Sequence, residues 1–279
     1  MSMPEATRTT IRHLRHWARD GETFAILTCY DASMARWLAR GGIRVMLVGD
    51  TAAQTMLGYD STLPVSMPYM VEITRAVRRG APNVCLMADM PFGSYQCGDD
   101  EAVANAAAFL KDGDADLVKL EVDETYAPLV ERMTRAGIPV VAHIGSRPQT
   151  YRSFGTPVVA GRDERVAQLL VETAQKMIDA GAVALLVEAV PDGVTRRIVD
   201  LAVQPHTGRP VPVIGCGAGP GCHGYVVVLH DLLGLTDHQP SFARPQADLG
   251  RQIQDAASAW RKRVNSGDYV REGGPYGRE

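Results

Sequence analysis

Six polar side chains follow short apolar runs, at the points where buried strands would end. They are two aspartates, two glutamates, one lysine and one histidine: Asp50, Asp89, Glu121, Glu188, Lys119 and His143. Apolar runs separated by helical spacing are typical of parallel strands that are buried on both faces. Carboxylates bind hard cations, and a carboxylate or an imidazole can move a proton. The pattern therefore predicts a metal-assisted active site.

Two of the acids, Asp50 and Asp89, follow neighbouring strands and suit Mg²⁺, which takes one or two protein carboxylates and keeps its other positions for water and substrate. Glu121 is predicted to ligate the same ion or to hold a water bound to it. Each acid taken alone has a simpler interpretation as a helix N-cap or a salt-bridge partner. Their joint occurrence at equivalent strand ends favours the metal site.

The remaining charged residues supply a fixed cation and proton-transfer groups. Lys119 and Glu121 alternate on one face of their strand, so they need a ligand or, as the alternative, each other as an ion pair. His143 is either functional or a hydrogen-bonded interior histidine. Glu188 is the candidate base. A chelating metal, a base and a cation together suit enolisation of a 2-oxo acid, because the metal stabilises the negative charge left by the proton.

The elements that must position these residues are eight predicted strand–helix units, preceded by an N-terminal helix. The connections at 51–68 and 144–161 are predicted to be long loops, and 244–263 has helical periodicity. The pattern predicts an α/β fold with a single domain over residues 1–279, a (βα)8 TIM barrel, whose strands bring their carboxyl ends to one mouth. A doubly wound open sheet is the alternative. Residues 267–279 are predicted to form a flexible tail.

Composition excludes several classes of protein. The chain has 279 residues, a net charge of −3 and no basic run, so neither nucleic acid nor a membrane surface is an expected partner. No apolar segment approaches the roughly 20 residues that span a bilayer. The five cysteines form no C-x-x-C pair, which indicates reduced thiols and a cytoplasmic location.

Longer motifs carry a resemblance to a known family. They occur in register from about residue 7 to 266 and include MLVGDT (46–51), GYDSTLPVSM (58–67), MADMPFGSYQ (87–96), VKLE (118–121), LLVEAVP (185–191) and LHDLLGL (229–235). In these segments the chain resembles ketopantoate hydroxymethyltransferase, the 3-methyl-2-oxobutanoate hydroxymethyltransferase of pantothenate biosynthesis.

The resemblance implies a (βα)8 barrel, bound Mg²⁺, 5,10-methylenetetrahydrofolate as the one-carbon co-substrate, 2-dehydropantoate as the product, and a homodecamer. It also implies a role for each candidate residue. Asp50 and Asp89 would bind metal and substrate, with Glu121 completing the metal environment. Thr51 and Lys119 would contact the 2-oxo acid. Glu188 would remove the C3 proton, and His143 would hydrogen-bond the product hydroxyl.

The chain departs from the family pattern at positions expected to lie around the ligand loops: Thr51 for serine, Ser146 with Arg147, Cys216, and His223 with Tyr225. One alternative is therefore a paralogue that hydroxymethylates a different 2-oxo acid. A second is a barrel that binds a metabolite or partner without turnover. A third is a lyase or mutase of the phosphoenolpyruvate mutase and isocitrate lyase type, although the segment Asp89–Gly93 lacks the second acid of that group's D-x-D-x-G pattern.

Overall fold

The computed structural model describes residues 7–155, 160–203, 208–237 and 239–268. The chain separates into two compact units, Met1–Val228 and Leu229–Glu279. The predicted single domain over 1–279 stays a prediction. The predicted tail lies outside the described residues from position 269 onward.

The first unit contains a closed barrel of parallel strands, in which each strand pairs with the next and β8 pairs with β1. The strands are β1 Phe24–Thr28, β2 Val45–Val48, β3 Cys85–Asp89, β4 Leu117–Glu121, β5 Val140–Gly145, β6 Ala184–Glu188, β7 Val213–Cys216 and β8 Gly224–Val227. This architecture confirms the predicted (βα)8 barrel and removes the open-sheet alternative.

Helices surround the barrel, and α1 confirms the predicted N-terminal helix by burying Leu14 and Trp17. The helices of this unit are α1 Ile11–Asp20, α2 Ala32–Arg40, α3 Ala52–Thr55, α4 Met67–Gly80, α5 Asp99–Lys111, α6 Ala127–Arg135, α7 Tyr151–Phe154, α8 Glu164–Asp179 and α9 Asp192–Val203. Short 3₁₀ turns occur at Glu124–Tyr126 and Pro148–Thr150.

The strands bury both faces, as their continuous apolar runs predict. Cys85 and Met87 of β3 pack inside the barrel with residues of the other strands, whereas Leu86 and Ala88 pack outward in the cluster that also contains helix side chains. Because side chains alternate along a strand, every second residue belongs to the interior. This alternation decides which residues of each strand can reach the mouth, the end of the barrel where the carboxyl ends of the strands meet.

The structure differs from the predicted elements in three connections. The predicted loops 51–68 and 144–161 contain the one-turn helices α3 and α7, which are too short to give a recognisable apolar period. Residues 217–223, between β7 and β8, form turns without a helix. The glycines and the proline of this segment disfavour a helix, so one of the eight predicted strand–helix units lacks its helix.

The second unit contains the helices α10 Leu229–Leu232 and α11 Leu249–Ser266. Helix α11 begins five positions later than the predicted 244, at the point where the Asp248 carboxylate caps it by accepting from the Arg251 N–H. Within the described parts of the chain, no helix combines the length and the apolar character that crossing a bilayer requires.

Candidate active site

The charged residues of β3 to β6 continue the interior rows of their strands. Asp89 comes two residues after the interior Met87, and the same step leads from Leu117 to Lys119 and Glu121, from Val141 to His143, and from Leu186 to Glu188. A step of two keeps a side chain on the same face of a strand. These residues therefore point into the mouth as predicted, and those of β3 to β5 are all buried.

The register of the barrel sets which of these groups touch. Asp89 pairs with Lys119 across β3 and β4, and Glu121 pairs with His143 across β4 and β5. Lys119 Nζ lies 3.1 Å from Asp89 Oδ2. The Asp50 N–H donates to the same oxygen at 3.1 Å. Lys119 thus forms its ion pair with Asp89, not with Glu121 as the simpler sequence interpretation proposed.

His143 connects the lysine to the candidate base. Lys119 Nζ lies 3.2 Å from His143 Nδ1, and His143 Nε2 lies 3.4 Å from Glu188 Oε2. Burial, and then the charge of Lys119, lower the pKa of His143 below its usual value. Since the ammonium can only donate, Nδ1 accepts, and the neutral ring carries its proton on Nε2, facing Glu188.

Glu188 lies at a strand end whose backbone is tightly constrained. Its neighbour Gly145 has φ +97°, and a Cβ there would come within 2.3 Å of the Glu188 carbonyl oxygen. The Ser146 N–H donates to that oxygen at 2.8 Å. Ala189, directly after Glu188, has a φ of 50°, which is rare for a residue other than glycine. The side chain of Glu188 remains 22% exposed, so the base faces the open side of the mouth.

Thr51 and the strand ends line a small cavity of about 60 Å³ at the mouth. Thr51 Oγ1 and the buried Tyr30 hydroxyl lie 2.7 Å apart. A Cβ at Gly49 would approach Thr51 Oγ1 to 2.8 Å, so glycine lets the backbone pass close to this hydroxyl. All the predicted site residues line the cavity: Asp50, Thr51, Asp89, Lys119, Glu121, His143 and Glu188.

Acids outnumber cations in this buried cluster. Burial raises the pKa of Asp89 most strongly. The charge of Lys119 lowers this pKa and that of Asp50 raises it, and the result is a pKa of about 7. Burial and the charge of Asp50 also raise the pKa of Glu121 well above its usual range. Burial lowers the pKa of Lys119, but Asp89 and Asp50 raise it by more, so the amine stays charged. A divalent cation would offset this excess of negative charge.

The residues fit a hard cation held by two carboxylates. Asp89 Oδ1 is buried and has no hydrogen-bond partner among the described residues, so this oxygen is available to a ligand. Across the described ranges, no group of three or more histidine, cysteine, aspartate or glutamate side chains is arranged around a metal position. Mg²⁺ needs no such cage, because it commonly retains several waters. The metal role of Glu121 stays a prediction.

Replacing Glu121 with glutamine is expected to stabilise the metal-free protein by about 1–2 kcal/mol at pH 8. Because the folded-state pKa of Glu121 lies above its unfolded value of about 4.3, stability is lost as pH rises past that value, and glutamine removes this loss. Urea denaturation in EDTA at pH 4 and pH 8 measures the difference. A gain that is equal at both pH values, or a loss at pH 8, would contradict the expectation.

The departures from the family pattern do not all lie at the mouth. Thr51 and Cys216 line the small cavity, whereas Ser146 and Arg147 line a neighbouring cavity of about 600 Å³. Arg147 Nη1 lies 2.7 Å from Asp123 Oδ2. The expectation is wrong for His223, which immediately precedes β8 at the opposite end of the barrel. Its buried Nδ1 accepts from the Val213 N–H at 3.0 Å, so its role is structural.

Sequence reasoning missed one central residue of the cluster. Gln149 is not among the predicted site residues, yet its side-chain nitrogen donates to Asp50 Oδ2 at 2.9 Å. The signal available in the sequence was its place directly after Pro148, in the connection that follows β5. Contact with Asp50 depends on how that connection folds back over the mouth.

A closed (βα)8 barrel with acids, an amine and an imidazole at its carboxyl-end mouth defines a barrel enzyme. Comparison with known proteins agrees. The sequence profile described as ketopantoate hydroxymethyltransferase matches residues 8–272. The chain is 41% identical, over 94% of each sequence, to the 3-methyl-2-oxobutanoate hydroxymethyltransferase of Syntrophus aciditrophicus. It is 42% identical to that of Desulfotalea psychrophila over 89% of this chain and 87% of the relative.

The chain therefore belongs to the ketopantoate hydroxymethyltransferase family and is an enzyme of the transferase class. Solved structures share its fold at low identity. A phosphonomutase from Burkholderia cenocepacia superposes with a TM-score of 0.62 at 17% identity, covering 91% of this chain and 98% of the other. A 2,3-dimethylmalate lyase gives a TM-score of 0.59 at 16% identity, with 93% and 86% covered. These two comparisons concern the fold alone.

Proposed function

We propose that the chain transfers a hydroxymethyl group from 5,10-methylenetetrahydrofolate to 3-methyl-2-oxobutanoate, forming 2-dehydropantoate for pantothenate biosynthesis. The observation that carries this proposal is the buried excess of carboxylate at the mouth, with Asp89 Oδ1 unpartnered among the described residues. The family relatives carry the name of this reaction. The family resemblance also supports a homodecamer. The scattered cysteines favour a cytoplasmic location, and the net charge of −3 gives no reason to propose nucleic acid or a membrane as a partner.

Asp50 and Asp89 would hold Mg²⁺, with Glu121 beside them. When bound, the ion supplies positive charge to the carboxylate and keto oxygens of a 2-oxo acid and so lowers the cost of forming an enolate. Lys119 adds a permanent positive charge next to Asp89. Thr51, whose hydroxyl contacts Tyr30, would orient the oxo acid in the small cavity.

Glu188 would take the C3 proton, and the electron pair of that C–H bond would move into the enolate. His143 contributes an Nε2–H that faces Glu188, at 3.4 Å from Glu188 Oε2, and would donate to a substrate oxygen bound beside that carboxylate. Water would replace both C–N bonds of the one-carbon unit, so that tetrahydrofolate leaves with the two protons of that water on its nitrogens and formaldehyde remains. The enolate carbon would then bond to the formaldehyde carbon, and the formaldehyde oxygen would take the proton held by Glu188 and become the new hydroxyl, to which His143 would donate.

The test is product formation in a complete mixture and in mixtures lacking one component. We expect 2-dehydropantoate only when 3-methyl-2-oxobutanoate, Mg²⁺ and methylenetetrahydrofolate are present together, with one tetrahydrofolate released per product. Mass spectrometry and folate absorbance measure the two products. Product formed in EDTA, or none formed in the complete mixture, would contradict the proposal.

A second candidate is transfer to a different 2-oxo acid. It is favoured by Thr51 and Cys216, two departures from the family pattern that line the mouth cavity. A methyl group or a sulfur atom at a cavity wall changes apolar fit by about 1–3 kcal/mol, or 10- to 200-fold in specificity. Ranking kcat/KM over straight-chain and branched oxo acids decides between the two. A clear preference for the branched five-carbon acid would remove this candidate.

A further inference from the structure

Gln149 lies inside the cluster, although the proposed chemistry assigns it no step. It is 5% exposed and lies in the 3₁₀ turn Pro148–Thr150 that follows β5. Its side-chain nitrogen donates to Asp50 Oδ2 at 2.9 Å and to the Met90 carbonyl at 3.0 Å. Its backbone N–H donates to Glu121 Oε2 at 3.0 Å. One residue thus joins the ends of β2, β3 and β4.

The surrounding groups fix the orientation of the Gln149 amide. A carboxylate and a carbonyl can only accept, so the nitrogen must face Asp50 and Met90. On the other side, Gln149 Oε1 accepts from the Tyr95 hydroxyl at 2.7 Å and from Gln96 Nε2 at 3.2 Å. Reversing the amide would place its oxygen against two acceptors. The network therefore holds a single arrangement.

An amide also suits this position electrostatically. A lysine or arginine in the place of Gln149 would neutralise Asp50 and compete with an incoming cation, as Lys119 already does for Asp89. A neutral donor fixes the direction of the carboxylate and leaves its charge in place. Groups that hold metal-binding side chains in this way are a recurrent part of metal sites.

We propose, on the basis of the function proposed above, that Gln149 is a positioning residue for divalent-cation binding. It holds the Asp50 carboxylate through its side chain and the Glu121 carboxylate through its backbone, so that both are set in place before the ion arrives. Asp89 is held separately, by Lys119 and the Asp50 N–H. All three carboxylates are therefore held in fixed orientations, and Gln149 does so for Asp50 and Glu121 without neutralising their charge.

The test replaces Gln149 with methionine in the full-length chain. Methionine keeps the length of the side chain and the backbone bond to Glu121, but removes both N–H donors. We expect Mn²⁺, titrated by electron paramagnetic resonance, to bind about 10- to 100-fold more weakly than to the wild type. The matched control is Gln175→Met, which removes a glutamine–aspartate hydrogen bond of 2.8 Å on the exposed surface of α8 and should leave Mn²⁺ affinity unchanged.

A thermal melt in EDTA separates positioning from folding. A folded Gln149→Met protein with wild-type Mn²⁺ affinity would overturn the inference. If that variant does not fold, Tyr95→Phe decides, because it removes the hydroxyl that donates to Gln149 Oε1 at 2.7 Å and loses besides only a longer contact of 3.1 Å with the Glu121 backbone carbonyl. We then expect affinity to fall about 3- to 10-fold, and an unchanged affinity would overturn the inference. A wild type whose Mn²⁺ affinity depends on Gln149 but that forms no 2-dehydropantoate would refute the proposed function while supporting the positioning role.

Discussion

Replacing Glu188 with glutamine should slow the exchange of the C3 proton of 3-methyl-2-oxobutanoate by about 10²- to 10⁴-fold. Glutamine has nearly the same shape but cannot accept the proton. The backbone around Glu188 is held by Gly145 and Ser146, so the amide should occupy the same place. Proton NMR in D₂O with Mg²⁺ and no folate measures the exchange rate directly.

The matched control for this change is Glu172→Gln on the exposed face of α8, which should exchange at the wild-type rate. Mn²⁺ affinity provides a second reading on the Glu188 variant, and we expect it to stay within about threefold of the wild type, since Glu188 is not an assigned ligand. Wild-type exchange by Glu188→Gln would show that another group is the base.

Replacing Asp89 with asparagine should weaken Mn²⁺ binding and slow proton exchange by at least about 10²-fold, because a bound ion contributes several kcal/mol of charge stabilisation. Asparagine can still accept from the Asp50 N–H, so local hydrogen bonding is largely kept. The substitution removes the negative charge and the unpartnered oxygen noted among the described residues. Asp200→Asn on the exposed face of α9 is the matched control.

The pH dependence of Mn²⁺ affinity tests most specifically whether the Asp89 carboxylate binds the ion. With a pKa of about 7, Asp89 holds a proton below that pH, and this proton competes with the cation. Wild-type affinity should therefore rise as pH increases from about 6 to 8, by up to tenfold per unit below the pKa. The rise should flatten in Asp89→Asn. An equally steep rise in the variant would assign the titration to another group.

The barrel and the direction of its polar residues were predictable from local pattern. Continuous apolar runs such as 45–48 and 184–187 identified strands that are buried on both faces, and the alternation of Lys119 with Glu121 showed that both point inward. The register that places Asp89 beside Lys119 needs the closed barrel, because it depends on strand stagger. The sequence offered a ligand or Glu121 as the partner of Lys119, and the structure pairs Lys119 with Asp89 instead.

The network around Gln149 could not be predicted. Its bond to Asp50 joins residues 99 positions apart, and no local period or charge pattern marks the pair. His223 shows the converse problem, since a glycine-rich segment between β7 and β8 resembled a ligand loop. In the structure this segment leads directly to the start of β8, with His223 accepting from the Val213 N–H. Residue type alone does not predict at which end of the barrel a residue of a connecting segment lies.

In the proposed function, Glu188 removes the C3 proton of a 2-oxo acid at the mouth, and this step depends on a divalent cation. The most direct measurement is the C3 proton signal of 3-methyl-2-oxobutanoate in D₂O, followed by NMR with wild-type enzyme. We expect the signal to decay with Mg²⁺ present and no folate, and to persist in EDTA. Decay of the C3 proton signal at the same rate in EDTA would contradict the metal dependence. A signal that persists with Mg²⁺, both before and after methylenetetrahydrofolate is added, would contradict removal of the C3 proton.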